Sequence, residues 1–205
     1  MGLQSWLAIA GVGVGLVVAI ELALRWVLGF GSPPLYVADS RTGYRLAPNQ
    51  TLRRFGNRIE VNEYSMRGGP LAPTGSTFRV LLLGDSIANG GWWTDRDDTI
   101  SVQVAGLLER SVPPRVWAKL IPALPTAGQT PVEVLNASAN SWGPRNELAY
   151  LEKFGSFQAK AIVLLINTDD LFGVTPHSLP VGRDPNYPDR RPSSALGELW
   201  QTLVP

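Results

Sequence analysis

"RVLLLGDSIANGG", residues 79–91, decides how the chain is read. A continuous apolar run ends at Gly84, and Asp85 and Ser86 follow at once. Runs apolar at every position suit a strand buried on both faces of a parallel sheet. A serine just after such a strand, at a helix start, puts a hydroxyl and its own main-chain N–H at one spot, as nucleophilic catalysis requires. The same residues also suit a helix N-cap, with Ser86 the cap and Asp85 its companion in the turn. Both readings stand on these residues alone.

Working outward, three units share one grammar. "FRVLLL" (78–83) predicts a first strand, and "TISVQVAGLLERS" (99–111) predicts a helix with Asp98 placed to cap it. "VEVLN" (132–136) predicts a second strand, followed by a helix in "PRNELAYLEKFG" with Pro144 in its first turn and Gly155 past its end. "AIVLLI" (161–166) reads as a third buried strand, followed by "NTDDLFG". Strand–helix alternation of this kind predicts a parallel sheet covered by helices. Ligands then bind beyond the carboxyl ends of the strands. Gly84–Ser86, Asn136–Gly143 and Asn167–Asp170 are the polar clusters brought to that edge.

Before this body lies "LQSWLAIAGVGVGLVVAIELALRWVLGF", residues 3–30, which reads as a transmembrane anchor. It exceeds the ~20 residues a spanning helix needs and overruns a cleaved signal core of about 7–15 residues. Glu21 and Arg25 stand one turn apart and pair, and Trp6 and Trp26 bracket the run as interfacial aromatics do. "GVGVG" sits mid-span, where no dinucleotide loop forms. Residues 31–76 read as a linker and irregular lead-in with one short strand at Arg58–Asn62, and 77–205 as the α/β domain. From Val174 on, the tail reads as proline-broken loop with a helix near Ser194–Leu203.

The 205 residues carry a net charge of +1, no cysteine and a single histidine. Disulfides, thiolate metal sites and a cysteine nucleophile are excluded, and no global field points to nucleic acid. "GWWTDRDDT" (91–99) reads as a solvated loop and not a metal site. Trp92, Trp93 and Trp142 could line a sugar-binding rim or pack in the core. "NAS" at 136–138 directly follows a buried strand, which removes it as a glycosylation acceptor.

"LLLGDSIANG" resembles the first block of the SGNH (GDSL) hydrolases, and four further stretches follow in matching order and spacing. These are "ELALR", "VNEYSMRG", "VEVLNASANSWGPRNELAYLEKFG" and "AIVLLINTDDL"; together they are similar to a membrane-anchored branch of that family, from about Glu21 to Trp200. The resemblance implies a flavodoxin-like three-layer α/β/α fold behind an N-terminal span, and hydrolysis or transfer of ester-linked acyl groups, such as acetyl on an envelope polysaccharide. It implies an extracytoplasmic domain that uses no cofactor or metal. Ser86 would be the nucleophile, with Ser141, Asn167 and Asp169 around the oxyanion and Asp85, Asn89, Trp142 and Asp170 as neighbours.

Three positions depart from that pattern. Ser141 stands where the family has its oxyanion glycine, and Asp169 where it has an asparagine whose amide binds the oxyanion. No D-x-x-H is present; His177, in "TPHSLP", has Val174 where the aspartate belongs. The domain is therefore expected to be C-terminally incomplete and weak or inactive as an esterase. A non-catalytic, membrane-anchored glycan-binding or scaffold domain is the alternative.

Overall fold

The computed structural model describes residues 2–121, 131–172 and 176–203. A long apolar helix, α1 (Leu3–Ala23), opens the chain, and its last turn, Leu24–Leu28, widens into a π-helix. Two antiparallel hairpins follow, β1 (Tyr36–Asp39) with β2 (Gly43–Leu46) and β3 (Gln50–Arg54) with β4 (Asn57–Val61). Strand and helix then alternate: β5 (Phe78–Gly84), α2 (Ser86–Asn89), α3 (Ile100–Ser111), α4 (Pro114–Leu120), β6 (Val132–Ser138), α5 (Pro144–Phe154), β7 (Ala161–Leu165) and α6 (Ala195–Leu203).

The class is mixed α/β, around a three-stranded sheet in the order β6-β5-β7 with every pair parallel. Registers place Gly84 opposite both Ser138 and Leu165, so the three strands end at one level. The loops that follow therefore emerge side by side, as the alternation predicts. Leu81, Leu83, Leu135 and Ala137 pack on one face with Trp142 and Tyr150 from the α5 side. Phe78, Val132 and Val134 pack on the other, against α3 and α4 through Ala105, Leu108 and Trp117. Pro144 begins α5 and Gly155 ends it, as its sequence predicts. Asp98 is not the α3 cap: it closes a separate 3-10 turn, Arg96–Asp98, and Thr99 takes the N-cap position.

The lead-in is more regular than its composition suggests. β4 covers the expected short strand, but three further strands share the segment. Phe55 and Gly56 both have positive φ, 49° and 83°, so the β3–β4 turn has the twist that joins strands through two residues. Asn62 Oδ1 accepts from the N–H groups of Tyr64 and Met66, at 3.0 Å each, and turns the chain back toward the sheet. The tail also packs: Tyr187 is buried between Tyr36 and Tyr44, with ring centroids 5.2 and 5.0 Å away.

β7 is not the buried strand its apolar run implies. Ile162, Val163 and Leu164 are 45–49% exposed, because among the described residues no strand lies outside β7 and no helix covers either of its faces. An uncovered apolar edge is a template for association. Joint replacement Ile162→Glu and Leu164→Glu, on one face of β7, is expected to lower the self-associated fraction in light scattering without lowering the melting temperature. Unchanged association would refute this assignment of the sticky surface.

The helix Leu3–Leu28, 26 residues, is long and apolar enough to cross a membrane. Its foot is built into the body. Leu24 and Phe30 are buried with Ala195 of α6, and the Glu21–Arg25 pair forms at 2.6 Å, as their spacing predicts. Gly29 has φ +76°, and a Cβ there would run into the Arg53 carbonyl, so the chain leaves the helix through a turn only glycine fits. Beyond it, Gly31 N–H donates to Glu198 Oε2 and Leu35 N–H to Gln50 Oε1.

Candidate functional site at the strand ends

The loop after β5 is held by its aspartate. Asp85 Oδ1 accepts from Ile87 N–H at 2.8 Å and caps α2, while Oδ2 accepts from the Asn167 amide at 2.8 Å. The cap is thus Asp85, not Ser86. Ser86 occupies the first helical position, exposed, and its hydroxyl makes no hydrogen bond among the described residues. Gly84 allows the sharp turn: a Cβ there would stand 2.7 Å from the Ala88 methyl.

The second and third loops are tied to the first. Asn89 donates from its amide to Ser138 O at 3.1 Å, and Asn136 donates to Ala88 O at 2.7 Å. Asn136 is buried, so the sequon is closed to glycosylation in the folded chain. Asn167 N–H donates to Asp170 Oδ2 at 2.7 Å, and a Cβ on Gly143 would meet the Asp170 carbonyl at 3.3 Å. The three polar clusters do meet at one edge.

Other placements differ from expectation. Ser141 has φ +53°, and its hydroxyl accepts from Tyr187 Oη at 2.8 Å. The Asn167 amide, expected at an oxyanion, is turned to the Asp85 carboxylate. The side chain of Asp169 lies outside the described residues. Trp142 is a core residue, 1% exposed, with its indole N–H on Tyr44 O at 2.9 Å, so it forms no sugar rim. His177 is exposed, with its backbone against Gly43 at the start of β2. "GWWTDRDDT", expected as a solvated loop, is tied to the β3–β4 hairpin by ion pairs, Arg58 with Asp95 and Asp97 and Arg96 with Glu60. Among the described residues no group of three ligating side chains could hold a metal.

Two residues of the site lie inside stretches quoted for the resemblance without being marked there as site residues. Glu147, in the first turn of α5, is fully buried, and neither carboxylate oxygen has a hydrogen-bond partner among the described residues. Burial, then the charges of Asp170 and Asp85, push its carboxyl up to about 7. Its signal is the helical period: Tyr150, Leu151 and Phe154 form the inward stripe, and Glu147 precedes Tyr150 by three. Arg67, 4% exposed, donates to Asn89 O, Gly91 O and Thr94 O at 3.4, 3.2 and 2.7 Å. It clamps the carbonyls beyond α2, and burial draws its guanidinium down to about 10.

Beside this clamp a groove of about 1250 Å³ runs from Asn89 to α6, with Arg54, Phe55, Trp92, Trp93 and Arg183 in its lining. Trp92 and Trp93 stack with centroids 3.5 Å apart, Phe55 lies 5.0 Å from Trp92, and Trp93 is 72% exposed. Ser86 does not line the groove. Compared with family models, curated proteins and solved structures, the chain matches none of them.

Proposed function

We propose that the chain is an SGNH-type domain of the ester-hydrolase and O-acyltransferase kind, retained at a membrane by its N-terminal helix and facing the extracytoplasmic side. One observation carries the reading: an exposed serine stands at the end of the central strand, while its neighbour Asp85 does the capping. Ser86 therefore has no structural task among the described residues that would explain it otherwise. In the reaction, Ser86 Oγ attacks the acyl carbonyl and gives up its proton. The carbonyl oxygen becomes an oxyanion facing the main-chain N–H groups of Ser86 and Ser141, and the alcohol leaves with a proton. Water or an acceptor hydroxyl then takes the acyl group from the serine.

The base is the weak link. His177 packs its backbone on the β1–β2 hairpin, and Glu147, whose carboxyl burial pushes up, is sealed from solvent. Loss of the base in a serine enzyme costs ~10⁶ in turnover. The expected result is no Ser86-dependent hydrolysis of p-nitrophenyl acetate above background. Ser86→Ala is expected to change stability by less than about 0.5 kcal/mol, since the side chain is exposed. A rate lost in Ser86→Ala would show that a base is supplied after all.

The stacked, exposed Trp93 favours a second reading, a groove that holds a glycan without turning it over. Binding of an acetylated polysaccharide that survives Ser86→Ala and is lost in Trp93→Ala distinguishes it.

A further inference from the structure

We propose that α6 and the foot of the N-terminal helix form one joint at the boundary between headgroups and acyl chains of the bilayer, with Trp200 and Leu203 facing lipid. The inference rests on the reading of α1 as a retained span. Depth comes first. Trp6 and Trp26 are both exposed, and the helical rise of ~1.5 Å per residue sets them ~30 Å apart, the thickness of the hydrocarbon core. Glu21 then lies about 7 Å inside the level of Trp26. Its carboxylate accepts from the N–H groups of Ala195 and Leu196 at 2.8 and 2.9 Å, and Arg25 donates to Ser193 O at 3.1 Å. The start of α6 is thereby held at or below the interfacial aromatic.

The chemistry of the joint suits that depth. Open N–H groups at a helix start are costly where water is scarce, and the anchor itself supplies the acceptor. Arg25 neutralises that acceptor at 2.6 Å, so the contact carries no net charge. The one charged residue of α6, Glu198, is turned inward onto Gly31 N–H and onto Arg54 at 2.6 Å. What α6 shows outside is uncharged: Trp200 and Leu203 are each 68% exposed, with Gln201 and Thr202 also exposed between them in sequence, and on the anchor Trp26 is 82% and Val27 70% exposed. An aqueous helix face carries charge, whereas an uncharged face bearing an indole and a leucine, on a helix tied to the foot of a span, suits a lipid interface. Just before α6, Arg190 and Arg191 are exposed with no ion pair among the described residues, which complements lipid phosphates.

The chain has no cysteine, so single spin labels need no prior substitution. The full chain would be labelled at Trp200→Cys, Leu203→Cys or, as an aqueous control on α5, Glu152→Cys, and reconstituted into vesicles of phosphatidylcholine and phosphatidylglycerol. Collision with oxygen relative to a water-soluble nickel chelate is expected to be several-fold higher at 200 and 203 than at 152. Equal ratios at all three would overturn the joint. Shielding from both reagents at 200 and 203, with dipolar broadening, would mean that a second copy covers the face, and overturns it equally. Flotation of the vesicles separates the two levels: protein that does not float refutes the anchor itself, whereas floating protein with aqueous labels refutes only the joint.

Discussion

Replacing Glu147 with glutamine is expected to stabilise the protein at pH 8 by about 2–3 kcal/mol relative to its effect at pH 5. The carboxyl titrates at about 7 in the folded chain against 4.5 for an ordinary glutamate. That interval corresponds to about 3 kcal/mol of linkage. The folded value is raised, so the folded state holds the proton more tightly than the unfolded one. The contribution is complete below pH 4.5 and is lost as pH rises through about 7. Above that, the parent must keep a carboxylate buried without a donor, beside Asp85 and Asp170. Glutamine carries no such charge, so its melting temperature should fall less between pH 5 and 8, by roughly 6–10 °C for a chain of this size. Parallel melting curves across that range would remove Glu147 from the account. The acid limb belongs to another group. Burial pushes the Asp39 carboxyl up, but Lys153, the Thr42 and Arg41 N–H groups and Arg45 outweigh it and hold it well below the usual range. Its contribution is therefore lost as pH falls, and should be the same in Glu147→Gln.

Arg67→Met is expected to cost about 3–4 kcal/mol, the largest loss among single substitutions near the site. Three carbonyls lose a charged donor at once, and orphaned buried groups cost about 1–3 kcal/mol each. Methionine keeps the apolar stem but returns none of these bonds. The loss should also be local, because the clamp holds the turn that presents Trp92 and Trp93. The near-ultraviolet circular dichroism of the stacked indoles, 3.5 Å apart, should weaken in the variant while far-ultraviolet ellipticity is kept. Arg67→Lys should recover part of both. A melting temperature within a degree of the parent would show that the three bonds contribute nothing net.

These two residues also mark where the sequence stops being legible. The apolar runs of β5 and β6 and the proline and glycine around α5 are local signals, and each appears where its residues predict. Convergence of the three loops then follows from parallel pairing alone. Glu147 was readable from the stripe it shares with Tyr150, Leu151 and Phe154, although a carboxylate on that stripe looks like a surface residue. Arg67 was not, because its partners are carbonyls more than 20 positions away. Trp142, open between rim and core, and β7, expected to be buried, are decided by one cause. Burial is set by neighbours and not by residue type, so an indole beside a polar loop is sealed by Tyr44 and Tyr150, while an apolar strand stays open. The two hairpins of the lead-in were obscured by arginine and asparagine, which their exposed sides tolerate.

The pinned exit from the N-terminal helix fixes a length scale. A free tether spanning Gly29 to Leu35 would let the body wander by about 15 Å. Here Gly29 lodges against the Arg53 carbonyl, Gly31 is held by Glu198, and Leu35 by Gln50. In a bilayer the edge bearing Ser86 and the groove bearing Trp93 would then keep one altitude and one heading, and search in two dimensions. A ligand would have to pass at that altitude to be met, so a retained span would act as a ruler that selects what the domain can touch.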